Sequence, residues 1–285
     1  MTPLRKQMIE AMRLRGFSPR THESYLYAVE KLAGYYHRPP DRLSQEQVQA
    51  FFKYLALERQ LSPASCRLYL NAVRFFYLKV LERKDFELSW VVPKRQQRIP
   101  ELLTRGEVAR IIRACGNPKH RMLLETCYGC GLRVSELVSL RVGDIDGERK
   151  LLRIEQGKGA KDRQVIIAPS LYQQLRHYWQ LLRPADWLFP CERHWEKPLS
   201  ITTAQRIFRR AKDAAGIHKV GGIHSLRHAY ATHQLENGLP VHQLQRLLGH
   251  QNLRSTMRYI HWVPSEQRDA PGYADLIAGV EVRHG

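Results

Sequence analysis

The chain has 285 residues, carries 46 Lys and Arg against 27 Asp and Glu for a net charge of +19, and is 43% hydrophobic. That length suits two domains of about 100–200 residues better than one small module, and that apolar fraction excludes wholesale disorder or a low-complexity scaffold. The charge points to an anionic partner, nucleic acid first, and no apolar run of about 18 residues is present to span a membrane.

The opening segment MTPLRKQMIEAMRLRG mixes its basic residues with Gln and Glu and reads as a helix, not a secretory leader. Three further helical patterns follow: Tyr25, Val29, Leu32 and Tyr36; then Val48, Phe51, Phe52 and Leu55; then Cys66, Tyr69, Leu70, Val73, Phe76, Tyr77 and Val80. Ser44 with Gln47 matches a capping box, and Ser62 before Pro63 matches a helix cap with a first-turn proline. Four helices within residues 1–87 predict a small bundle. Residues 88–103, with Pro93 and Pro100 around the basic run Lys94 to Arg98, break the periodicity and read as an extended linker.

Residues 104–285 are mixed. Thr104 and Glu107 form a second capping-box pattern, and residues 149–168 read as two short strands around a glycine-containing turn. Helical patterns resume near 169–181, 200–215, 223–236, 240–248 and 253–260. The class expected is mainly α with one small β-sheet (α+β). Residues 1–98 hold 18 Lys and Arg against 9 Asp and Glu, and the rest hold 28 against 18, so both halves are basic. The odd, uneven set of five cysteines argues against a disulfide framework and suits a reducing, cytoplasmic setting.

Several local patterns invite chemistry. His224, Arg227 and His228 share one helical face. A zinc reading of the two histidines is weakened by the cationic Arg227 between them and by the lack of an HExxH pattern. Phosphate handling suits the set better, because Arg offers a planar fork of donors and His exchanges a proton near neutral pH. Gly157-Lys158-Gly159-Ala160-Lys161-Asp162-Arg163 is no P-loop: it lacks the Gly-Lys-Ser/Thr order and lies in a hairpin turn. Cys127 and Cys130 read as buried small side chains where an apolar helix ends. Just beyond them, Gly131-Leu132-Arg133 sets an arginine at the entry to a new helix. Among thirteen tyrosines, composition selects none.

The ordered set GCGLRVSEL, GKGAKDR, HSLRHAYATH, LLGH and TMRYIH resembles the tyrosine recombinases, the family of phage integrases and Xer-type recombinases. The resemblance covers nearly the whole chain. It implies an amino-terminal four-helix DNA-binding domain (1–87), a linker (88–103) and a mixed α/β catalytic domain (104–285) with a short carboxy-terminal tail. It further implies that Arg133 and Arg227 clamp the scissile phosphate, that His224 serves in proton transfer and phosphate contact, and that Lys158 protonates the leaving sugar oxygen. His250 would hydrogen-bond the phosphate and Tyr259 would be the nucleophile.

The activity implied is site-specific strand exchange on double-stranded DNA through a 3′-phosphotyrosyl intermediate, by a homotetramer or paired dimers on two sites. A Xer-like or mobile-element recombinase is the expected kind. A topoisomerase-like nicking and resealing enzyme, or a non-catalytic DNA-binding protein of the same fold, are the alternatives. No cofactor, metal or ATP is expected. Free tyrosine has a pKa of about 10, so only ~0.1% is phenolate at neutral pH; Tyr259 therefore needs a proton acceptor or a strongly cationic surrounding. The tail from Tyr273 to Val280 is apolar enough either to dock on a neighbouring protomer or to fold back on its own domain.

Overall fold

The computed structural model describes residues 1–83, 85–86, 101–155, 162–263 and 275–278. The chain divides into two compact units, Met1–Arg98 and Ile99–Gly285.

The first unit contains helices α1 (Pro3–Leu14), α2 (Pro19–Tyr36), α3 (Gln45–Lys53) and α4 (Pro63–Phe75). Three of them open alike: Thr2, Ser18 and Ser62 each accept a backbone N–H through their hydroxyl, and a proline follows at the first helical position. The missing proline N–H costs nothing there, because no carbonyl stands behind it to be served. Ser44 and Gln47 close a reciprocal capping box on α3. Both α3 and α4 run on into a π-turn, Tyr54–Glu58 and Phe76–Val80. The periodic apolar residues meet in one core of Met8, Met12, Leu32, Val48, Phe51, Phe52, Val73 and Tyr77, among others.

The second unit begins before its first helix, since Leu103 is already buried in its core and the carbonyl of Leu102 accepts from Lys219. Helices α5 (Arg105–Arg113), α6 (Pro118–Gly129) and α7 (Val134–Val138) precede a three-stranded antiparallel sheet. Its strands are β1 (Ile145–Asp146), β2 (Leu151–Ile154) and β3 (Arg163–Ile166), in that order across the sheet. The pairing Leu152 with Val165 and Ile154 with Arg163 buries Leu152, Ile154 and Val165 on one face. The two expected strands pair antiparallel, while the expected turn between them, with Lys158, falls on residues 156–161, which lie outside the described residues. Helices α8 (Pro169–Leu182), α9 (Ile201–Ala214), α10 (His224–Glu236), α11 (Val241–Leu248) and α12 (Arg254–Ile260) complete the unit. Helix α10 is buried almost continuously from Leu226 to Leu235, so polar side chains on it must find partners inside the protein.

The four described tail residues fold back onto their own unit. Leu276 and Ile277 join its core, and the Asp275 carboxylate accepts from the hydroxyl (2.7 Å) and the amide (3.3 Å) of Ser170 at the start of α8. Among the described residues, no helix is long and apolar enough to cross a membrane.

Candidate active site

The site is built on two chain reversals and one buried helix. Helix α6 ends at Gly129, and Gly131, two residues on, turns the chain toward α7 with a φ of +59°. The Gly131 carbonyl accepts from Arg227 Nη1 at 2.8 Å. Helix α11 ends at Gly249, with φ +62°. The last carbonyls of a helix have no partner within it and carry the negative end of its dipole. Here arginines take them: Leu247 accepts from Arg163 Nε at 2.9 Å, Leu248 from Arg227 Nη2 at 2.6 Å, and Gly249 from Arg133 Nη2 at 3.4 Å.

Beneath these arginines lies one carboxylate. Glu136 receives both terminal nitrogens of Arg163, each at 2.8 Å, together with Arg133 Nη1 at 2.6 Å and the Arg133 amide at 2.8 Å. Arg227 Nη1 stands 3.7 Å from it. Burial works to raise the Glu136 pKa, but the hydrogen bonds and charges of Arg163 and Arg133 outweigh it and hold the carboxyl down to about 2. Three guanidinium groups against one carboxylate leave an uncompensated positive charge at the floor of the site. Arg227 is 1% exposed, and burial with the neighbouring Arg133 charge lowers it to about 10, still fully cationic at neutral pH.

The histidines and the tyrosine close the set. Arg227 Nη2 lies 3.1 Å from His250 Nε2. Arginine only donates, so Nε2 is the acceptor and His250 carries its proton on Nδ1, which donates to Thr256 Oγ1 at 2.8 Å. Burial and the surrounding arginines push His250 down to about 3, so the ring is neutral. Tyr259, on α12, is 2% exposed and lies parallel to the His250 ring, among the charges of Arg227, Arg258 and Arg133. Its hydroxyl stands 3.0 Å from His228 Nδ1. Burial raises the Tyr259 pKa more than Arg227, Arg258 and Arg133 lower it, so the resting phenol is protonated. His224, exposed at the start of α10, packs edge-on against His228 with ring centroids 4.5 Å apart.

Of the six residues singled out in the sequence, Arg133, His224, Arg227, His250 and Tyr259 come together from α6–α7, α10, α11 and α12; Lys158 lies outside the described residues. Glu136, Arg163 and His228 were not assigned there. Glu136 sits at capping-box spacing from Arg133, and Arg163 ends the basic turn motif, which are the only hints either gives. Cys127 and Cys130 are buried free thiols pushed up to about 12 by desolvation, which fits the packing role.

A phage integrase family model matches residues 101–266, and a model for the phage integrase N-terminal SAM-like domain matches residues 4–85. The chain belongs to the phage integrase family. It is a site-specific tyrosine recombinase. The tyrosine recombinase XerA of Thermococcus onnurineus is 35% identical over 272 residues, covering 94% of this chain and 93% of that protein. The protein y4qK of Sinorhizobium fredii, provisionally named an integrase/recombinase, is 41% identical over 266 residues, covering 91% and 84%. The crystal structure of XerA recombinase aligns with a TM-score of 0.55 at 27% identity over 99% of both chains. A lambda integrase dimer bound to a COC′ core site shares the fold, with a TM-score of 0.72 at 21% identity over 88% of this chain and 95% of that one.

Proposed function

We propose that this recombinase cuts and rejoins double-stranded DNA through Tyr259, acting as a homotetramer on two sites. The observation that carries the reading is the seating of Tyr259, with its ring parallel to that of His250 and its hydroxyl on His228 Nδ1, beside the cluster of Arg227, Arg133 and His250. Tyr259 Oη attacks the phosphorus, the bond to the 5′ oxygen breaks, and a 3′-phosphotyrosyl link with a free 5′-hydroxyl results. Negative charge grows on the non-bridging oxygens during attack. Donors already fixed in place stabilise that state without reorganising, and Arg133 and Arg227 are held by carbonyls and by Glu136 before DNA arrives.

In this reading Lys158 protonates the 5′ oxygen, and His224 and His250 contact the phosphate. His250 Nε2 accepts from Arg227 in the free protein, so it donates to the phosphate only after protonation or release from Arg227. The cationic groups supply the charge that a divalent ion supplies elsewhere, and the covalent link conserves the bond energy, so neither metal nor ATP is needed. Residues 1–87 and 104–285 serve as two DNA-gripping domains. Lambda integrase has been solved as a tetramer bound to a Holliday junction, which supports the tetrameric arrangement.

A nicked suicide duplex tests the reading. The native protein should form a covalent adduct in EDTA, and Tyr259→Phe should bind the same duplex and form none. Adduct formation by Tyr259→Phe would exclude this nucleophile. Two labelled sites yielding no recombinant product, despite nicking and resealing, would point to a topoisomerase-like enzyme, and binding without any adduct to a non-catalytic DNA-binding protein.

A further inference from the structure

We propose that His228, through Nδ1, is the catalytic residue that takes the proton from Tyr259 as the tyrosine attacks and returns it on religation. This rests on Tyr259 being the nucleophile. Among the described residues, the hydrogen-bond partner of the Tyr259 hydroxyl is His228, through Nδ1. The arginines around it have no acceptor atom, so the phenol proton cannot pass to them. His228 Nδ1, at 3.0 Å, is placed to receive it. Of the other two histidines, His250 Nε2 is engaged by Arg227 and Nδ1 by Thr256, and His224 meets His228 and not the hydroxyl.

The ring is fixed for this role. Trp262 packs edge-on to His228 at 5.7 Å and to Tyr259 at 5.1 Å between centroids, which holds the two reacting side chains in register. The titratable and charged groups facing His228 are His224 and Arg227 on its own helix and Arg258 and Tyr259 on α12. Burial and those positive neighbours lower His228 to about 4, so it is neutral and able to accept. A phosphodiester seated on the same arginines adds negative charge and raises its proton affinity at the moment it is needed.

The step balances. The Tyr259 Oη–phosphorus bond forms as the phosphorus–O5′ bond breaks, the phenol proton passes to His228 Nδ1 to give imidazolium, and the departing O5′ takes a separate proton from Lys158. Religation reverses each transfer.

The test uses the full chain and a nicked duplex bearing the sequence that the native protein selects from a random pool. Asparagine can hydrogen-bond near the Nδ1 position but takes no proton. His228→Asn should therefore bind DNA and melt like the native protein, yet form adduct at least ~10²-fold more slowly at pH 7, with the deficit shrinking as pH rises. If it loses binding or stability, His228→Gln is read the same way. A 5′-bridging phosphorothiolate leaves without a proton, so it should rescue Lys158→Ala and fail to rescue His228→Asn. Native adduct rates in the folded His228 variants, or their rescue by the thiolate substrate, overturn the proposal, as does an unrescued deficit in His224→Asn alone. An adduct in Tyr259→Phe would instead remove the reading beneath it.

Discussion

Glu136 and Arg163 form a two-point ion pair, each terminal guanidinium nitrogen 2.8 Å from a carboxylate oxygen, with the two side chains 4% and 10% exposed. The pair joins β3, at the foot of the hairpin, to α7, while Arg163 Nε reaches the Leu247 carbonyl at the end of α11. One side chain thus ties together three elements that meet at the site. Glu136 also neutralises part of the charge that would drive Arg133, Arg163 and Arg227 apart.

Glu136→Gln keeps the shape and removes the charge. Breaking a buried pair by deleting one partner costs about 3–5 kcal/mol, and this deletion leaves Arg227 and Arg163 buried without a counter-charge. Urea unfolding should show a loss of that order, and adduct formation on a suicide duplex should fall about 10²-fold or more. Native-like stability would mean that the carboxylate does not hold the arginines.

Arg163→Lys separates charge from geometry. Lysine cannot match the two carboxylate oxygens at once, so adduct formation should drop while the salt dependence of DNA binding, set by the number of phosphates neutralised, stays as in the native protein. A changed salt slope would place Arg163 on the DNA and not beneath the site.

How much of this was readable beforehand differs by kind of interaction. The helical spacing located α10 near 223–236, against the observed His224–Glu236. Two short runs rich in branched residues around a glycine-containing turn likewise located β2 and β3, whereas β1, with two residues, is too short to give such a run. The link from Arg163 to Leu247 spans 84 positions and is made to a backbone carbonyl, which leaves no residue-type signature. His228 could be set beside His224 by helical spacing, but only the packing of α12 against α10 brings the Tyr259 hydroxyl to its Nδ1. Burial of Tyr259 was equally unreadable, since TMRYIH has no apolar stripe that singles it out.

Gly131 should resist substitution more than a surface glycine of the same backbone conformation. A Cβ there would lie 2.3 Å from the Tyr230 ring, whereas at Gly216, with φ +67°, nothing lies within 4 Å. Gly216→Ala should cost about 1–2 kcal/mol for the left-handed backbone alone. Gly131→Ala adds overpacking of about 1–3 kcal/mol and displaces the carbonyl that holds Arg227. Chemical denaturation of the two variants gives the comparison, with loss of adduct expected only for Gly131→Ala.

The folded-back tail should be held by Asp275. Its carboxylate accepts from Ser170 and from the amides of Ile277 (3.0 Å) and Ala278 (3.1 Å), which seats Ile277 against Gly129. Asp275→Ala should speed hydrogen exchange at residues 276–278 while leaving the exchange of α10 unchanged. Unaltered exchange in the tail would assign its anchoring to Leu276 and Ile277 alone.

Acid should destabilise the catalytic unit as soon as pH falls below the ordinary histidine range. In the folded protein burial and nearby arginines hold His228 and His233 down to about 4 and His250 to about 3, against 6.5 ordinarily. As pH falls below about 6.5, the unfolded chain gains protons that these three rings refuse, so unfolding becomes easier with each step toward pH 4. Glu125 opposes them: desolvation pushes its carboxyl up to about 7, so the folded state binds a proton that the unfolded state has released above about 4.5, and acidification through that window favours folding. With His120 and His224 also lowered and Glu236 also raised, the histidines outnumber the opposing carboxyls and give a net loss. The urea midpoint should therefore be lower at pH 5 than at pH 7.5. Glu125→Gln, which removes the opposing group, should steepen the fall. His233→Asn should make it shallower, because it removes one of the three buried rings, the one whose Nδ1 lies 2.8 Å from the Tyr128 hydroxyl. A midpoint that rises between pH 7.5 and pH 5 would reverse the sign assigned to these histidines.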